Sequence, residues 1–158
     1  MPKVFRFRLE GLLSLRRRAE DEAEQVAMQA AREQRLAEAA LEAVVSRIAA
    51  HMEAGRQRRE QGQLDLDAIR DEGGWSRQLE QERKAAEAEL ERRSQETERT
   101  RWAWVEARRA REVVSRLRER QHLAWQRDLD QAEQKLLDEL ATQGHARNAR
   151  PGGEPDPL

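Results

Sequence analysis

Apolar positions along this chain recur every three or four residues and alternate only briefly. Leu9, Leu12, Ala19, Ala23, Val26, Ala30, Ala37, Leu41, Val44, Ile48 and Met52 stand three, four or seven apart, with Glu, Arg and Gln between them. That period lays them along one stripe of a helix, as an a/d-like seam of a coiled coil. A second stripe runs through Leu79, Ala86, Leu90, Thr97, Trp104, Ala107, Val114, Leu117, Gln121, Ala124, Leu129, Ala132, Leu136 and Leu140. From Trp75 to Gln143 there is neither glycine nor proline, and Glu, Arg, Gln, Ala and Leu dominate. These side chains lose little freedom in a helix, so the stretch predicts one helix of roughly 100 Å. The short alternation Val4-Phe5-Arg6-Phe7-Arg8 has no second strand to pair with and reads as an extended lead-in or an early helical turn, with Phe5 and Phe7 as an anchor.

A helix of that length cannot bury its own stripe and must lie against another. The two stripes are separated by a window holding Gly55, Gly62, Gly73 and Gly74. Glycine supplies the positive φ that a reversal needs, and Gly73-Gly74 is the expected place for it. The predicted fold is therefore all-α, a long two-helix antiparallel coiled-coil hairpin with a flexible C-terminal tail. Its parts are a helix over about 9–54, a bend over 55–74 and a helix over about 75–142, within a single domain over 1–147. Gly144, Pro151, Gly152, Gly153, Pro155 and Pro157 predict an end to the helix after Thr142 and a disordered tail over 148–158. With the turn centred near 63 or 64, facing residues have numbers that add to about 127. Met52 then faces Trp75, Ile48 faces Leu79, Val26 lies near Arg101, and Phe5 and Phe7 fall beside His122. Residues after about 125 overhang the first helix.

Composition agrees with long helices and argues against a globular core. Only 37% of residues are hydrophobic, many of them alanine, while 39% are charged. Acids and bases nearly cancel, for a net charge of −1, which gives no field for nucleic acid. The absence of cysteine excludes disulfides and thiolate ligands and suits a reducing cytoplasm. No apolar run reaches the roughly 20 residues a bilayer span needs. The first residues lack the apolar run and cleavage site of a secretory signal, so membrane association is expected to be peripheral, with no direct insertion.

Catalytic groups do not assemble in the sequence. His51, His122 and His145 are far apart and have no metal-ligand spacing. Ser14, Ser46, Ser76, Ser94 and Ser115 have no neighbouring base, and Gly73-Gly74 lacks the lysine and strand of a phosphate loop. The expectation is no enzyme, no metal and no cofactor. Arg16-Arg17-Arg18 reads as a solvated face balanced by Glu20, Asp21, Glu22 and Glu24. Arg108, Arg109 and Arg111 near Trp102 and Trp104 are interspersed with glutamates, which spoils a nucleic-acid reading. Tryptophan is the stronger signal: there are four in a chain without tyrosine. Trp104 fits the seam, Trp102 cannot point the same way, and Trp75 lies near the reversal. Val45, Ile48, Met52, Trp75 and Leu79 form the expected partner surface there, aromatic and aliphatic as binding hot spots are.

The opening Phe5-x-Phe7-Arg8-Leu9-Glu10-x-Leu12-Leu13-x-Leu15-Arg16 and the ending Glu133-x-Lys135-x-Leu137-Asp138-Glu139-x-Ala141 resemble the two ends of the flagellar export protein FliJ family. The resemblance covers roughly residues 4–147. It implies an antiparallel coiled coil similar to the central stalk of rotary ATP synthases and a non-enzymatic part of bacterial flagellar type III export. By this resemblance the stalk inserts into the ring of the export ATPase FliI, contacts the export gate protein FlhA and binds export chaperones, with FliH a further possible partner. It would be a monomer when isolated, placed in the cytoplasm against the inner membrane at the flagellar base. The gate-binding positions would be Val45, Ile48, Met52, Trp75 and Leu79, and the ATPase-facing end would include Leu136, Leu137, Asp138 and Glu139. The rival readings are the equivalent stalk of a virulence type III secretion system and a generic homodimeric coiled-coil scaffold or tether. A continuous parallel dimer would be a rod of roughly 200 Å.

Overall fold

The computed structural model describes residues 4–62 and 65–149. It contains two helices, α1 over Glu10–Glu60 and α2 over Leu66–Asn148. The architecture is the all-α antiparallel hairpin that the apolar period predicts. Residues 4–9 lead in without strand or helix.

The reversal is tighter than the 55–74 expected from the glycines. Among the described residues Gly62 alone takes a positive φ, 72°, just beyond α1, and its N–H donates to the Arg59 carbonyl at 3.2 Å. Glycine adopts this left-handed stop at no steric cost. Asp65 then caps α2, its Oδ1 accepting the Asp67 N–H at 3.2 Å and its carbonyl the Ile69 N–H at 3.0 Å. Gly55 lies inside α1, and Gly73 and Gly74 lie inside α2. A helical glycine costs about 1 kcal/mol relative to alanine, which weakens these turns without ending them. Helix α2 also continues through Thr142 and Gly144 to Asn148, with His145 and Arg147 in its last turn, where cations favour the helix dipole. The predicted disordered segment, apart from its first two residues, lies outside the described residues.

The residues group into two compact units. In the unit Leu15–Arg111, α1 and α2 run antiparallel. Thr97 Oγ1 donates to the Ala30 carbonyl at 3.2 Å or to the Arg93 carbonyl of its own helix at 2.9 Å, and the numbers 30 and 97 add to the expected 127. Arg47 pairs with Glu82 at 2.7 Å, Arg111 with Glu20 at 2.6 Å, and Arg93 with Glu33. The register is as predicted, but the stripe on α1 is rotated. Val26 is 54% exposed whereas Ala27 is 9%. Ala19 and Met52 are likewise exposed, and Glu20 and His51 take the inward places. The sequence pattern favours the larger apolar residue, but closely approaching helices accept the smaller one, so alanines at 23, 27, 30 and 37 line the seam. Across from them Thr100 is buried, its hydroxyl donating to the carbonyls of Glu96 at 2.9 Å or Thr97 at 3.1 Å.

The second unit comprises Met1–Ser14 and Glu112–Leu158. Its core is Phe7, Leu13 and Val114, with Phe5, Leu12 and Leu117 packed around them. Leu13 is fully buried, while Leu9, placed in the seam by the sequence, is exposed. The Phe5 ring meets His122 edge-on at 4.9 Å and lies 5.9 Å from Trp125. Arg118 sits 5.8 Å over the same ring and pairs with Glu10 at 3.0 Å. His122 and Trp125 thus replace Gln121 and Ala124, which are exposed. Beyond Leu129 every described residue is exposed, including Ala132, Leu136 and Leu140.

Two outcomes follow from this register. Leu13→Ala lowers unfolding stability by about 2–5 kcal/mol and Leu9→Ala by less than about 1 kcal/mol, measured by urea unfolding. Equal losses would contradict the rotated seam. In a chain without native cysteine, the Ala30→Cys/Thr97→Cys variant forms an intrachain crosslink with a short bifunctional reagent. Crosslinked dimers as the main product, rising with protein concentration, would favour the homodimeric rival.

Candidate partner-binding surfaces

Near the reversal, the unit Leu15–Arg111 holds a polar cluster. His51 Nε2 lies 2.8 Å from Ser76 Oγ and 3.3 Å from the Glu72 carbonyl. The Glu72 carboxylate reaches Arg59 at 3.3 Å and Arg58 at 3.6 Å. Gly55 leaves room for it, since a Cβ there would run into that carboxylate. The imidazole, bonded to the Ser76 hydroxyl and near the Glu72 carbonyl, ties the two helices together.

The five positions expected to form one surface divide three ways. Leu79 is 2% exposed and fills the seam, and Ile48 is half-buried there. Trp75 is 48% exposed and carries the Arg47 guanidinium 5.8 Å from its ring centroid. Glu82 holds that guanidinium from the other side. Val45 and Met52 are exposed. They lie two and five residues from Arg47 on α1, about 200° and 140° round the helix at roughly 100° per residue. Met52 lines a different cleft with Arg56, Arg59, Glu72 and Ser76. One flank therefore presents a braced tryptophan, and the other presents Val45 and Met52. Arg47 is the residue that sequence reading missed. Its signal was that its number and that of Glu82 add close to 127.

In the unit Met1–Ser14 with Glu112–Leu158, Leu136, Leu137, Asp138 and Glu139 are all exposed. Leu136, Leu137 and Leu140 share a face by helical spacing, and Asp138 turns away from it, its carbonyl accepting the Thr142 hydroxyl at 2.7 Å. The arrangement is an apolar ridge with no facing helix among the described residues.

Electrostatics on both helices come from paired side chains. The Arg111 guanidinium, bonded to Glu20, holds that carboxyl below its usual value against a smaller opposing effect of burial. Hydrogen bonds from arginine do the same for Glu53, Glu80, Glu89 and Glu96. Among the described residues no three His, Cys, Asp or Glu gather as a metal site, and no helix is long and apolar enough to cross a membrane. The indole N–H of Trp104 is buried without an acceptor.

A family model described as the flagellar FliJ protein matches residues 5–150, which takes in both helices. The chain belongs to the flagellar FliJ protein family. A search of curated proteins found no match, and a search of solved structures found none. Membership makes this FliJ-family chain a flagellar export-related coiled-coil protein, from a family of non-catalytic structural and escort proteins. The resemblance drawn from the two sequence ends is thereby confirmed.

Because the Glu20 carboxyl is depressed in the folded state, its stabilisation is complete above the unfolded value of about 4.3 and is lost as pH falls through the lower folded value. Glu20→Gln costs about 1 kcal/mol at neutral pH. Its melting temperature converges on that of the parent at more acid pH. A difference that stays constant down to about pH 3 would contradict the pair's role.

Proposed function

We propose that this protein is a cytoplasmic, non-enzymatic stalk of the bacterial flagellar type III export apparatus. It inserts into the ring of the export ATPase FliI, contacts the export gate protein FlhA and escorts export chaperones, at the cytoplasmic face of the inner membrane. The observation that carries this reading is the family match over residues 5–150, which spans the whole hairpin and favours the flagellar over the virulence system.

Physical features support the same reading. A hairpin with a thin seam suits binding and mechanical transmission. The exposed Leu136, Leu137 and Leu140 ridge, with Glu139 flanking Leu136 and Asp138 on another face, is an apolar edge suited to a ring lumen. Trp75, braced by Arg47, is a rigid amphipathic anchor for the gate. Val45 and Met52, on the opposite flank, form a separate contact, and Ile48 and Leu79 support both from beneath.

Adding the protein to FliI is expected to raise ATP hydrolysis and promote ring assembly; no change in either would overturn the stalk reading. Trp75→Ala is expected to weaken binding to FlhA by roughly tenfold or more with circular dichroism unchanged, and Met52→Ala separates the second flank. Parent-like binding by Trp75→Ala would remove the aromatic flank from the gate interface.

A further inference from the structure

Within the unit Met1–Ser14 with Glu112–Leu158, α2 carries a second stripe that its own core does not use. Val113, Arg116, Arg120, Leu123 and Arg127 follow one another at steps of three, four, three and four, and all are exposed. This is the spacing of a coiled-coil seam, yet it points away from the face where Val114 meets Phe7 and Leu13 and His122 meets Phe5. Val113 is 69% and Leu123 52% exposed. Branched aliphatic side chains at the outermost positions of a two-helix coil gain nothing from this fold. Between them the charge is mainly positive. Arg116 reaches Glu112 only at 3.9 Å, and neither Arg120 nor Arg127 has an ion-pair partner among the described residues. Glu119 is the one acid beside Val113, Arg116, Arg120 and Leu123 in the shallow groove they line.

We infer that this stripe docks an acidic amphipathic helix from another protein. Val113 and Leu123 stand ten residues apart, about 15 Å along the axis, so the partner brings aliphatic side chains at that separation. Glutamates or aspartates between and beside them meet the arginines, which fixes register and excludes basic partners. A second copy of the chain would set arginine against arginine. A membrane-bound helix keeps its apolar face clear of charge, whereas here the arginines lie within the apolar line. A single-stranded nucleic acid site stacks bases on aromatics, and the groove has none. The inference does not rest on the export function proposed above.

The test uses the full chain and a labelled helical peptide with leucines at alternating steps of three and four and glutamates on the flanking positions. Its controls are a scrambled peptide of equal charge, phosphatidylglycerol vesicles and a single-stranded oligonucleotide. The designed peptide is expected to bind in the micromolar range, more weakly as salt rises. Binding should fall at least roughly tenfold both in Arg116→Glu/Arg120→Glu/Arg127→Glu and in Val113→Ser/Leu123→Ser. These positions are exposed, and unchanged thermal melts confirm that each variant folds. Equal binding of the scrambled peptide, no loss in either variant, no binding at all, or stripe-dependent capture of vesicles or oligonucleotide in preference to the peptide would each overturn it.

Discussion

The close approach of two backbones across a row of small side chains is the constraint on which the Leu15–Arg111 unit depends. Alanines at 23, 27, 30 and 37 line the α1 side, opposite Thr97 and Thr100. At about 25 cal/mol per Å² of apolar surface, such residues contribute little each. The pairing of the helices is specified by cross-helix contacts: Thr97 with the Ala30 carbonyl, Arg93 with Glu33, Arg111 with Glu20. Each bond fixes the register more than it adds stability, because polar groups in a seam tolerate few alternative partners. The unpartnered Trp104 N–H costs about 1–3 kcal/mol, a further sign that this seam is far from a stability optimum.

A narrow seam also explains where the large side chains went. With alanine inside, Val26, Val45 and Met52 are left outside, and Trp75 settles on the surface against Arg47. The same sequence feature that limits core stability leaves these large side chains on the surface.

In the other unit the balance differs. Phe5, Phe7 and Leu13 form a compact core on Val114 and Leu117, and among the described residues those beyond Leu129 have no facing helix. Between Glu80 and Arg116, the helicity of α2 is reinforced by pairs along its own surface, such as Arg83 with Glu87 at 2.9 Å and Arg93 with Glu89 at 2.8 Å. Each such pair is exposed and screened by solvent, so it favours the helix only slightly. Residues of high helix propensity then keep the uncovered turns ordered and their leucines presented.

Two long helices, antiparallel pairing, facing numbers near 127, Phe5 beside His122 and the exposed end of α2 were all legible in the sequence, because helical period and propensity are local properties. The family resemblance was legible for the same reason, from residues at the two ends. What the tertiary structure decided was rotation and reach. Period alone cannot choose between Val26 and Ala27, since both fit a broad apolar stripe and only the distance between helices favours the smaller. Glycine content could not place the turn, because the cost of Gly73-Gly74 inside α2 is smaller than that of breaking the hydrogen-bond ladder, whereas Gly62 meets a real demand for positive φ. Leu79 was readable as a seam residue facing Ile48, but not as one of the most completely buried side chains. The separation of Trp75 from Val45 and Met52 depends on which side of α1 Arg47 projects, and that is set only when the two helices meet.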